Sequence, residues 1–330
     1  MLEYGLAILY ALFIWWFSTG LILYLDGLPR RTFSWSMVVM TVIALAALYG
    51  LWVSGTDNSM GGAYLSFTCG LLVWAWHELS FLTGYLTGPR RTPCPKVDSF
   101  WARFRYASET VIHHEIAIAA TAGLMAMLTW GASNQIGLWT FVILWLMRLS
   151  AKLNIFLGVA NLAEEFLPPH LRYLETYFRR RPLNLLFPVS VTVSTIVTVL
   201  ILERGLAEGV PAWEAVGAVF LGTLLALAVL EHWFLVLPIQ ATALWQWALD
   251  AQRTRRRKNA SVAPGEVEGD DLFQVLPVSA GTTKPAKGIE EAAGISWGTH
   301  SPLTRMQSWD VPNNKPQVFP GRGSAPGSLD

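Results

Sequence analysis

VIHHEIAIAATAGLMAMLTW, residues 111–130, is as apolar as a lipid-facing helix, yet it opens on His113, His114 and Glu115. If this run crosses a membrane, its polar mouth needs partners at the same depth. The composition supports a crossing: 53% of the 330 residues are hydrophobic and 14% are charged. A soluble chain carries roughly a quarter charged residues. Sixteen tryptophans fit a protein with two membrane interfaces, where the indole ring gathers.

Crossing the hydrocarbon core takes about 20 apolar residues. Seven runs qualify or nearly do: 5–25, 35–54, 62–86, 110–130, 136–158, 187–203 and 213–237. The sixth is short and rich in Val and Thr. The loops alternate in charge. Arg30 and Arg31 follow the first run, Arg90 to Arg105 the third, Arg172 to Arg181 the fifth and Arg253 to Lys258 the seventh. The other loops hold only Arg204. Basic loops stay in the cytoplasm. The expected fold is therefore an all-α polytopic membrane bundle of about seven helices. The amino terminus would be periplasmic and the carboxyl terminus cytoplasmic, and no cleavable signal peptide is expected.

Residues 1–250 form the expected transmembrane domain. Residues 251–330 are rich in Gly, Pro, Ser and Thr and poor in apolar residues, which predicts a disordered cytoplasmic tail. Net charge is +1, which gives no general attraction for nucleic acid. Two cysteines are too few for a disulfide framework or a thiolate zinc site. No phosphate loop, nucleotide fingerprint or Ser-His-Asp arrangement is visible.

Ionisable residues then converge at one depth. His77 and Glu78 stand near the cytoplasmic end of the third run, and His113, His114 and Glu115 at the start of the fourth. Glu231 and His232 lie near the end of the seventh, with Glu164 at the boundary after the fifth. Such residues face a bundle interior or a cavity. Imidazole and carboxylate suit iron, manganese or zinc, and one imidazole would suffice for a bacteriochlorophyll. Yet no Glu-x-x-His motif of the di-iron bundles is present. A structural reading stands beside the metal one. Arg148 and Lys152, four residues apart, share a helix face and could pair with Glu78, Glu115 and Glu231.

Four blocks carry a resemblance: FIWWFSTGLILYLDGLPRRTF, AWHELSFLTGYLTGPRRTPCP, MRLSAKLNIFLGVANLAEEFLPPHLRYLETYFRRRP and LEHWFLVLP. They resemble the photosynthetic complex assembly protein 2 family, the PuhE-type membrane proteins of purple phototrophic bacteria, over roughly residues 1–250. The resemblance implies a membrane assembly factor for the reaction centre and light-harvesting core, or a modulator of bacteriochlorophyll production. Its partners would be core subunits or pigment-biosynthesis enzymes within a lipid membrane. It implies no catalytic residues. The other expectation, drawn from the His and Glu cluster, is a metal-dependent oxidoreductase or redox sensor acting on a tetrapyrrole or quinone.

Overall fold

The computed structural model describes residues 2–162, 164–238, 241–252 and 254. Eight α-helices account for most of them: α1 Leu2–Asp26, α2 Phe33–Ser54, α3 Met60–Leu82, α4 Phe100–Glu109, α5 Ile112–Leu128, α6 Ile136–Leu157, α7 Leu186–Gly205 and α8 Ala212–Phe234. Six of these are long and apolar enough to cross a membrane. The pair α4 and α5 passes the same test jointly but is bent by 65°. The chain is thus a polytopic membrane helix bundle of six or seven spans. The expected tail falls outside the described residues, apart from 251, 252 and 254.

Each helix begins and ends for local reasons. Ser59 caps α3 by accepting the Gly62 N–H at 3.0 Å. The α3 run was expected to reach residue 86 but stops at Leu82, because Gly84 takes a left-handed φ of +82°. α6 ends at Gly158, whose φ is +123°. Asn184 then ties the two neighbouring helices: its Nδ2 donates to the Asn154 and Gly158 carbonyls, and its Oδ1 accepts the Leu186 and Phe187 N–H groups that open α7.

The fourth run, expected over 110–130, is helical over Ile112–Leu128, and α4 precedes it where no run was expected. Thr110 and Val111 break the two helices apart. The loop before it fixes the break, with Arg90 N–H donating to the Glu109 carbonyl at 3.1 Å and His114 N–H to the Thr87 carbonyl at 2.9 Å. Gly88 sits so close that a Cβ there would lie 2.1 Å from the Glu109 carbonyl oxygen.

α3 and α8 are the inner helices, with 78% and 61% of their most apolar stretches buried, against 11% for α7. Lipid tails are as apolar as Leu, so helices associate through close backbone approach at small residues. α3 and α6 cross where a Cβ on Gly70 would stand 2.4 Å from the Gly137 carbonyl oxygen. A Cβ on Gly137 would stand 2.3 Å from that of Ser66, whose hydroxyl accepts the Gly137 N–H at 2.9 Å. Ala7 and Ala11 bring α1 against the inner pair, beside a cluster in which Phe67 and Phe220 stack at 4.4 Å.

Two further segments complete the end of the bundle where the basic loops gather. A 3-10 helix, Pro169–Tyr177, packs Leu171 and Leu174 on Phe81 and Leu82. The stretch 241–252 packs Trp245 and Ala248 on α1, and Gln252 donates to Asp26 Oδ1 at 2.8 Å.

Candidate functional site

At this basic end α1, α3, α5, α6 and α8 do not close on one another. They enclose a cavity of about 740 Å³. Most of its wall is apolar, from residues such as Leu71, Trp74, Phe81, Leu144 and Leu224. Into it project Glu78 from α3, Glu115 from α5, Arg148 and Lys152 from α6, and Glu231 from α8, with Glu164 and Arg180 at its edge. Pockets of this size and lining hold molecules that are apolar over most of their surface.

Four of these five inner charges form ion pairs. Arg148 Nη2 meets Glu78 Oε2 at 3.1 Å, and Lys152 Nζ meets Glu115 Oε1 at 2.7 Å. Glu231 also lies in the field of Arg148. Two indole groups complete the carboxylates: Trp15 Nε1 donates to Glu231 Oε1 at 2.9 Å and Trp145 Nε1 to Glu115 Oε2 at 3.0 Å. Arg148 and Glu231 each keep open surface, but both line the cavity and that surface is its wall. A guanidinium has five donors, and the bond from Arg148 to Glu78 uses one of its nitrogens. At the edge, Arg180 Nη2 meets Glu164 Oε1 at 3.2 Å.

The histidines stand behind this wall. His77 and His114 are fully buried, with ring centroids 6.1 Å apart. His77 Nε2 shares a hydrogen bond with Thr121 Oγ1 at 3.0 Å, while His77 Nδ1 and both His114 nitrogens have no hydrogen-bond partner among the described residues. Phe81, Phe141 and Trp76 surround the two rings. His113 is exposed, because one residue along a helix is a turn of about 100°. The same rotation separates Glu231 from His232. His232 is buried against α6: its Nε2 shares a bond with Ser150 Oγ at 2.9 Å, and its Nδ1–H donates to the Ala228 carbonyl at 2.8 Å.

So the structure brings together Glu78, Glu115, Glu231, Arg148 and Lys152, and it places His77 and His114 side by side in one packed surround and His232 in another. Among the described residues, no three of His, Cys, Asp and Glu stand close enough to share a metal ion. The carboxylates turn to cations and indoles, so these residues do not fit a metal centre. Nor does any of the four candidate histidines line the cavity to ligate a pigment there.

Sequence reasoning did not find the roof. Arg103, buried on α4, donates from Nη1 to the Phe156 carbonyl at 3.2 Å and from Nη2 to that of Tyr177. Its guanidinium lies 4.3 Å from the centre of the Phe156 ring. This one side chain joins the bent helix, the end of α6 and the 3-10 helix over the cavity. A lone Arg in a basic loop carries no sequence signal for such a role.

A family model described as "Protein of unknown function (DUF3623)" matches residues 1–256. The chain is also 39% identical over 266 residues to a Rhodobacter capsulatus protein described as "Uncharacterized 30.4 kDa protein in puhA 5'region". That alignment covers 79% of this chain and 97% of the relative. No solved structure matches.

Proposed function

This chain belongs to the family of proteins of unknown function DUF3623, and from that premise we propose that it is a membrane factor in photosynthetic complex assembly. In this reading it holds an apolar, lipid-soluble molecule, such as a bacteriochlorophyll or its precursor, during supply to the reaction centre and light-harvesting core. The observation that carries the reading is the cavity, apolar over most of its wall and charged at a few fixed points. The gene setting of the Rhodobacter capsulatus relative, in the puhA 5′ region, supports the process.

The chemistry follows from the lining. Flat apolar groups would lie against Trp74, Phe81 and Leu224. The free donors of Arg148 would take a carbonyl or carboxylate of the occupant, and the paired Glu78 would keep the guanidinium in place. Core subunits or pigment-biosynthesis enzymes would meet the protein at its membrane faces and basic loops. The alternation of loop charge supports a bundle in the inner membrane with the cavity mouth and carboxyl terminus on the cytoplasmic side. The metal-dependent oxidoreductase reading finds no ligand set among the described residues.

The test fills the cavity. Ala151 lines it and is only partly buried, so Ala151→Phe should occupy the space without opening the bundle. A deletion strain should lose near-infrared absorption of the assembled core or accumulate pigment precursors. Wild type should restore it, and Ala151→Phe at equal membrane level should not. A deletion strain with normal absorption and normal precursors would sink the proposal.

A further inference from the structure

A second pocket lies at the same end of the bundle, walled off from the cavity by Phe81, Leu82, Leu171 and Leu174. It measures about 490 Å³. Its polar lining comes from three separate loops: Arg30 after α1, Thr83 to Arg91 after α3, and His170 and Tyr173 in the 3-10 helix. Among the described residues, no acidic side chain lines it, and neither Arg30 nor Arg91 forms an ion pair within 4.0 Å. Arg91 spends one donor on the Gly84 carbonyl at 3.2 Å.

Two polar atoms here are buried without a hydrogen-bond partner of normal geometry among the described residues. One is His170 Nε2. The other is the Tyr173 hydroxyl, which lies near Thr87. The His170 imidazole is held below its usual range by burial and then by Arg30, with Arg91 adding to the effect against a hydrogen bond to the Leu82 backbone. Positive potential from two loops therefore converges on one ring. Buried polar groups normally find partners, and a cluster of like charge normally finds a counter-charge. The missing component is an anion with several acceptor oxygens.

We propose that this pocket binds a phosphate ester, with the phosphoryl oxygens taken by Arg30, Arg91, His170 and Tyr173. The volume leaves room for a substituent beside Phe33 and Leu171. Gly84, at φ +82°, lets the backbone come close to the imidazole: a Cβ there would stand 3.2 Å from His170 Cδ2. Basic pockets between membrane helices recognise anionic headgroups in this way. The same chemistry would serve a soluble phosphate monoester, and the two sources separate experimentally.

The full-length protein is placed in nanodiscs of phosphatidylcholine alone or mixed with phosphatidylglycerol. Retained lipid is counted by native mass spectrometry. Glycerol 3-phosphate is titrated into the phosphatidylcholine discs. Retention of phosphatidylglycerol over phosphatidylcholine identifies a headgroup site, and saturable glycerol 3-phosphate binding without it identifies a soluble ester. In either case Arg30→Gln with Arg91→Gln should weaken binding roughly a hundredfold, at about tenfold for each charge-assisted contact. Tyr173→Phe, which leaves the packing intact, should weaken it about threefold. Binding of neither probe, or binding unchanged in the double variant, overturns the proposal.

Discussion

Lys152→Met removes the cation from the shorter of the two cavity pairs. At 2.7 Å, with side chains 24% and 15% exposed, the pair is neither at the surface nor fully dry. At an effective dielectric constant of about 20 its Coulomb attraction is about 6 kcal/mol, and desolvation of two ions offsets much of that. What remains after the substitution is Glu115 with the Trp145 indole and the field of Arg148. Leaving one partner of a buried pair costs about 3–5 kcal/mol. The lower figure applies here, because water in the cavity and proton uptake both relieve the carboxylate. A loss of about 3 kcal/mol is therefore expected for Lys152→Met. Glu115→Leu strands the ammonium and should cost about as much. The double variant removes both charges and should cost about 1 kcal/mol, a coupling of roughly 5 kcal/mol. Unfolding in detergent, followed by circular dichroism for the four proteins, measures the cycle. Additive losses in the double variant would refute the pairing.

Three other outcomes follow from geometry. Gly137→Ala should cost more than about 2 kcal/mol, since its Cβ would press on the Ser66 backbone at 2.3 Å; an unchanged melting temperature would show that α3 and α6 are not packed so closely. Arg103→Met should loosen the roof by about 3 kcal/mol through two lost charged hydrogen bonds, seen as faster protease cleavage within residues 89–111; unchanged cleavage would count against the latch. A carboxyl-terminal reporter should be active in the cytoplasm only, and activity in the periplasm would reverse the orientation inferred from loop charge.

The helices were legible because length and apolarity alone define a membrane span. Arg and Lys mark every second loop, and the expected orientation rests on that alternation. The faces were not legible. α2 and α7 are apolar all round, so no periodicity tells lipid from protein. For this reason His113 and His114 could not be told apart until their neighbours were placed. Arg148 and Lys152 were readable as one face through their four-residue spacing, and both line the cavity. Trp15 and Trp145 were not readable as carboxylate donors. A tryptophan in a membrane helix usually signals an interface, and the partner here comes from another helix, for Trp15 one at the far end of the bundle sequence. The break at Thr110 and Val111 was hidden because α4, FWARFRYASE, carries Arg103, Arg105 and Glu109 and reads as part of a basic loop, while Gly88, which permits the break, lies in another part of the chain.

That break has a consequence for the lipid. α5 alone has 17 residues, about 26 Å of helix, against a hydrocarbon core of about 30 Å. Every other span in the bundle has 20 residues or more. α4 turns aside instead of extending it, presenting Trp101, 73% exposed, and Phe100, 41% exposed. A short span thins the bilayer beside it, at a cost of fractions of a kcal/mol per Å. The membrane would then pucker inward on this one flank, bringing its water boundary down toward the depth of Glu115 and Lys152. An occupant of the cavity would have its shortest route to the aqueous phase at the place where the leaflet is thinnest.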